Sequence, residues 1–116
     1  GHGGALLQRL DAIVVEVLAE LTRTYSAARD YSDEQLERTR EDVAHHVRYL
    51  AVAEEIGDEL IYVEMVAWLT DLLLARGVRL EAVIAGLDGL SRALALRGLD
   101  QFKPVVQRAR VELLRP

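Results

Sequence analysis

The 116-residue sequence contains no cysteine. That excludes a disulfide framework, a thiolate nucleophile and any zinc site built on Cys. Aromatic residues are scarce at 5%, with one Trp and one Phe, so a core has to be assembled mainly from Leu, Ala and Val. Positive charge is outnumbered: 14 Lys and Arg face 19 Asp and Glu, a formal net charge of −5. With no basic stripe in sight, the chain lacks the electrostatic footprint of a nucleic-acid binder. No apolar run approaches the roughly 18 residues needed to span a bilayer. Strand punctuation is also missing, since no sustained alternation occurs and no Asn-Gly or Asp-Gly turn sits between β-branched runs. A Gly-rich phosphate loop and a nucleophile elbow are likewise absent.

What is present is apolar periodicity. Half of the residues are hydrophobic, enough for one core and one domain over residues 5–116, and too much for disorder. Gly1 to Gly4 carries no initiator Met and reads as an appended leader, which removes His2 from the list of candidate ligands. The leader lacks the charged start of a signal peptide, so a cytoplasmic location is expected.

The spacing predicts an all-α bundle of five helices, with a globin-like arrangement as the alternative. The first predicted helix runs from Ala5 to Ala28, where Leu7, Leu10, Val14, Val17 and Leu21 repeat at 3-4-3-4 spacing. Ser32 and Gln35 form a capping box, which starts the second helix at Asp33; Gly57 ends it after Ile56. Asp58 then caps a third helix that reaches Arg76, with Gly77 as its stop. A fourth spans Arg79 to Arg97, before Gly98. The last runs from Asp100 to Leu114 and holds Pro104 in or near its first turn.

The second helix has a main apolar face of Leu36, Val43, Val47 and Leu50 and a second stripe of His45, Tyr49, Val52 and Ile56. Two stripes predict contacts on both sides. The third helix is apolar almost all round, with Glu64 and Asp71 on its one polar strip, and is therefore expected to be central, with Trp68 as a core anchor. In the fourth, Ala82, Gly86, Gly89 and Ala93 form a row of small residues. Glycine inside a helix costs about 1 kcal/mol relative to alanine, so the row predicts close approach of another backbone or of a flat ligand, with tight helix packing the favoured reading.

Chemistry-bearing residues gather in Glu41–Leu50. Adjacent His45 and His46 project about 100° apart and cannot share one metal ion from a regular helix. Asp42 stands four before His46, and Glu41 four before His45. Both pairs suit a carboxylate–imidazole hydrogen bond that would orient the ring. A dinuclear carboxylate site wants Glu-x-x-His on two helices, and here Asp42-x-x-His45 occurs once. A triad of Asp42, His46 and Ser91 or Ser26 has no oxyanion-loop signature beside it. The candidate ligand-binding set is Asp42, His45, His46, Tyr49 and Trp68, with no catalytic residues and no metal. Arg38, Arg40 and Arg48 are interleaved with Glu37, Glu41 and Asp42, which reads as ion pairs on a solvated face.

The run Arg38-Thr39-Arg40-Glu41-Asp42-Val43-Ala44-His45-His46-Val47-Arg48-Tyr49-Leu50, followed by Tyr62, Trp68 and Arg76-Gly77-Val78, resembles a helical module of bacterial sensory and regulatory proteins that is often joined to a cobalamin-binding domain. The likeness covers residues 36 to 90. It implies a non-enzymatic accessory role beside a cobalamin-binding or other sensor or effector domain. The chain departs from such proteins in having no Asp-x-His-x-x-Gly cobalamin-ligand motif. The expected function is a regulatory or sensory module acting through a homodimer or another protein partner. The alternative is a sensor or carrier that holds a tetrapyrrole (haem, bilin or cobalamin) or a fatty acid near His45, His46 and Trp68.

Overall fold

A computed structural model describes residues 2–116; Gly1 lies outside the described residues. Six α-helices and two short 3-10 segments are present among them, and no strand. They are α1 (Gly3–Gln8), α2 (Leu10–Thr24), α3 (Asp33–Ile56), α4 (Leu60–Ala75), α5 (Leu80–Leu96) and α6 (Lys103–Leu114), with 3-10 turns at Ser26–Asp30 and Asp100–Phe102. The radius of gyration is 13.2 Å, close to the about 13 Å of a compact chain of this size. The expected all-α bundle is what the chain forms. No described helix is long and apolar enough to cross a membrane.

The local signals place most helix ends. At the start of α3, the Gln35 N–H donates to Ser32 Oγ at 3.1 Å and the Ser32 N–H donates to Gln35 Oε1 at 2.8 Å, the reciprocal capping box. Gly57 closes α3 at φ 78°, a left-handed conformation that a Cβ would penalise, and its N–H donates to the Ala53 carbonyl at 2.8 Å. Gly77 and Gly98 end α4 and α5 in the same way. Asp58 accepts from the Leu60 N–H at 3.0 Å, so α4 begins two residues after it. Pro104 occupies the first turn of α6, after the 3-10 turn that opens the expected last helix.

The first helix departs from expectation. It breaks at Arg9, where φ is −105° and ψ 12°, and ends at Thr24 instead of Ala28. The break sets α1 on α3 by its Gly3–Leu6 face: an added Cβ on Gly3 would stand 2.9 Å from the Ala51 carbonyl oxygen. Leu6 is fully buried as a result, while Leu7, about 100° further round, is 50% exposed and leaves the expected seam. At the C-terminus, Tyr25 turns extended, Thr24 Oγ1 donates to the Glu20 carbonyl at 2.8 Å, and Arg29 Nε donates to the Thr22 carbonyl at 2.9 Å. The Arg29 bond and the Tyr25 N–H, which donates to the Leu21 carbonyl at 2.8 Å, occupy two of the last four carbonyls of the helix.

One continuous core runs through the chain, with Ile13, Val17, Val47, Leu50, Tyr62, Val66, Leu87, Leu90, Leu94 and Val106 all buried. The α2 seam is filled within the molecule, because α2 packs on α5 and on α3. Across the α2–α5 contact, a Cβ on Gly89 would touch Val17 and Glu20 at 3.5 Å, and Ala93 is fully buried. Close packing therefore accounts for that half of the small-residue row. Gly86 differs, with nothing within 4 Å of the same position.

Two expectations about burial fail together. Trp68 is 59% exposed and is no core anchor. Helix α4 contacts α3, α5 and α6, but those neighbours cover only the side bearing Tyr62, Val63, Met65, Val66, Leu69 and Thr70. The second stripe of α3 also lacks a partner at its C-terminal end, where Val52 and Ile56 are exposed. Apolar character all round marks a helix as one to be covered, and within this chain only half of α4 is.

Candidate functional site

Of the five candidate residues, four lie along α3 and one on α4, and the structure does not gather them into one pocket. His46 points from α3 to α4. Its Nδ1 lies 2.8 Å from the Tyr62 hydroxyl, and the rings meet edge to face with centroids 5.6 Å apart. Tyr62 is fully buried, and its hydroxyl makes no other hydrogen bond among the described residues. A buried hydroxyl proton requires an acceptor, so Tyr62 O–H donates into Nδ1 and the ring proton resides on Nε2. Burial, with the His45 ring as the smaller cause, pulls His46 down to about 4, and burial alone raises Tyr62 above its ordinary value. Both groups are neutral at pH 7.

The expected Asp42–His46 and Glu41–His45 hydrogen bonds are absent. Tyr62 takes the place of Asp42 at His46. Asp42 is half-buried; desolvation and the adjacent Glu41 push its carboxyl above the ordinary value, against the opposing pull of His45 and Arg76. His45 instead meets Tyr49 one turn on, with ring centroids 4.8 Å apart at 40°. No hydrogen bond or ring contact joins Trp68 to any other candidate. No hydrogen bond joins Ser26 or Ser91 to Asp42 or His46 either; Ser91 lines an open depression with Asp100, Lys103 and Gln107 between α5 and the start of α6. Among the described residues no three His, Asp or Glu side chains converge as metal ligands would.

Comparison with known proteins gives no matching family model and no matching curated relative.

The His46–Tyr62 pair can join two helices in a set register. It joins a buried hydroxyl to a part-buried imidazole with both groups uncharged, which is the chemistry of a structural hydrogen bond. The candidate set omits Tyr62, although a tyrosine on a buried stripe implies a hydroxyl in need of a partner. Nothing in the spacing names that partner, which lies 16 residues away on another helix.

What reaches solvent is the outer side of the α3–α4 hairpin. On α4 the exposed residues are Leu60, Glu64, Ala67, Trp68, Asp71, Leu74 and Ala75. At about 100° per residue they form one face: Leu60, Ala67 and Leu74 on one rib, Trp68 and Ala75 on another, with Glu64 and Asp71 between. Half-buried Ile61 and Leu72 border the Trp68 rib.

Proposed function

We propose that this chain is a non-enzymatic regulatory or sensory module that acts by binding another protein surface, and that the outer face of the α3–α4 hairpin is where it does so. The observation that carries the reading is Trp68, the sole tryptophan, 59% exposed on a helix whose outer side is mostly apolar. Exposed Leu60, Leu74, Val52 and Ile56 extend the apolar surface along the hairpin. Large apolar side chains exposed together on one helix face mark interaction sites, and Trp is enriched at their energetic centres. The likeness of residues 36–90 to accessory modules of sensory proteins supports the same role.

A photo-crosslinking amino acid placed at position 68, in the cells that make the protein, tests it. Adducts are expected from position 68 and none from position 96, where Leu96 is 66% exposed away from the hairpin. Equal yields at the two positions, or none at 68, would sink the reading. The ligand-carrier alternative is separated by titrating haem, bilin and cobalamin into the purified protein. A visible band that moves in His45→Ala or His46→Ala would establish that alternative instead.

A further inference from the structure

The partner's chemistry can be read from charge, given the interaction face proposed above, on which this inference rests. Residues 33–76, the α3–α4 hairpin, contain 11 Asp and Glu against 4 Arg, a net −7, whereas the whole chain is −5, which leaves +2 for everything else. Two of the arginines are already committed, Arg38 to Glu34 and Arg40 to Glu37. Among the described residues Glu64 and Asp71 make no ion pair and no hydrogen bond, and both are exposed. They sit seven residues apart, in line, between the Leu60–Ala67–Leu74 rib and the Trp68–Ala75 rib.

That placement works against a second copy of the chain. The midpoint of α4 (Leu60–Ala75) falls between Ala67 and Trp68, and Glu64 and Asp71 lie equally far on either side of it. A two-fold interface is self-complementary. If two α4 helices paired antiparallel about their midpoints, Glu64 would oppose Asp71 of the second copy. If they paired parallel, each carboxylate would oppose itself. Both arrangements bring like charges together as the apolar ribs close and desolvate them, which disfavours the pairing. A helix with Lys or Arg seven residues apart along its apolar face meets the same pattern with opposite sign.

We infer that the α4 face docks a basic amphipathic helix of a different protein, with its apolar ridge against Trp68 and Leu60 and its cations on Glu64 and Asp71. Binding of this type is a helix laid against an apolar face, steered and selected by complementary charge.

The probe is a synthetic 18-residue amphipathic helix with Leu on one face and Lys at two positions seven apart; the control carries Glu in place of those Lys. Trp68 is the only tryptophan, so its emission reports on this face alone. The Lys peptide is expected to shift the emission to the blue and to bind at least about tenfold tighter than the Glu peptide, with the gap narrowing as salt is added. The exposed double substitution E64K/D71K, with an unchanged circular dichroism spectrum, should reverse the preference. Equal binding of the two peptides, or a preference that survives E64K/D71K, overturns the inference. An emission shift that follows the protein's own concentration, with a dimer in sedimentation, also overturns it but keeps the face as an interface. Peptides that leave Trp68 unmoved while position 68 still crosslinks overturn the basic-helix partner alone; loss of the crosslink removes the interaction reading itself.

Discussion

At the scale of single residues, the His46–Tyr62 hydrogen bond ties α3 to α4. Tyr62→Phe leaves Nδ1 buried without its donor and should cost about 1–3 kcal/mol, seen as a lower midpoint in urea at unchanged slope. The pair also makes stability depend on pH. His46 titrates at 6.5 when unperturbed and is pulled to about 4 in the folded chain. Between those values the unfolded chain binds a proton that the folded chain refuses, so stability should fall as pH drops from about 6.5 to 4, by up to about 3 kcal/mol. Asp42, held above its ordinary value, pulls the opposite way. The comparison that isolates the effect is wild type against His46→Leu/Tyr62→Phe, in which an apolar pair replaces the polar one and the acid-side decline should flatten. Urea midpoints measured across about pH 4 to 7 decide it; parallel curves for the two proteins would rule it out. Trp68 behaves differently. Trp68→Ser should move stability by no more than about 0.5 kcal/mol, as exposed positions do, and should remove any association that uses the hairpin face.

At the scale of elements, the glycines of α5 divide by surroundings. Gly86 has open space where a Cβ would stand, so Gly86→Ala should stabilise the protein by about 0.5–1 kcal/mol through helix propensity. Gly89 faces Val17 and Glu20 at ordinary contact distance. Ala fits there, but Gly89→Leu would force α2 and α5 apart and should lower the melting temperature sharply. The capping box is the other element-level test: Ser32→Ala should cost about 1 kcal/mol, visible as fraying of the first turn of α3 in amide exchange. These local features are readable from the sequence. Ser32–Gln35 and Gly57, Gly77 and Gly98 act through partners within a few residues, and the chain obeys them. The break at Arg9 is not readable, because the 3-4-3-4 pattern runs through it. Gly3 settling on the Ala51 carbonyl selects Leu6 over Leu7.

At the scale of the whole molecule, helical order is close to saturated while coverage is not. The core joins all six helices, yet α4 is enclosed only toward α3, α5 and α6. Its outer side and the Val52–Ile56 end of the second α3 stripe are left to solvent. Charge is distributed the same way, with the hairpin at −7 and the remainder at +2. A single substitution should expose the rule behind this. E64K alone sets an ammonium group of one copy opposite Asp71 of another in the antiparallel pairing, and should convert repulsion to attraction. Sedimentation equilibrium is expected to show tighter self-association of E64K than of wild type, and tighter still than of E64K/D71K. Indistinguishable association in all three would mean that these charges do not govern what α4 meets.

The sequence by itself determined the helical class, the number of long helices and most of their ends. Those follow from apolar period, capping side chains and left-handed glycines, all of which act over a few residues. It also located the histidine pair and showed that the two rings diverge. Tertiary structure alone decided that Tyr62 holds His46, that the α2 seam closes on α5 and α3, and that Trp68 faces out. Each depends on where a second helix lies, far along the chain, and an apolar stripe states only that a surface favours cover. Whether the cover comes from the same chain is settled by packing, and for α4 packing supplies it on one side only.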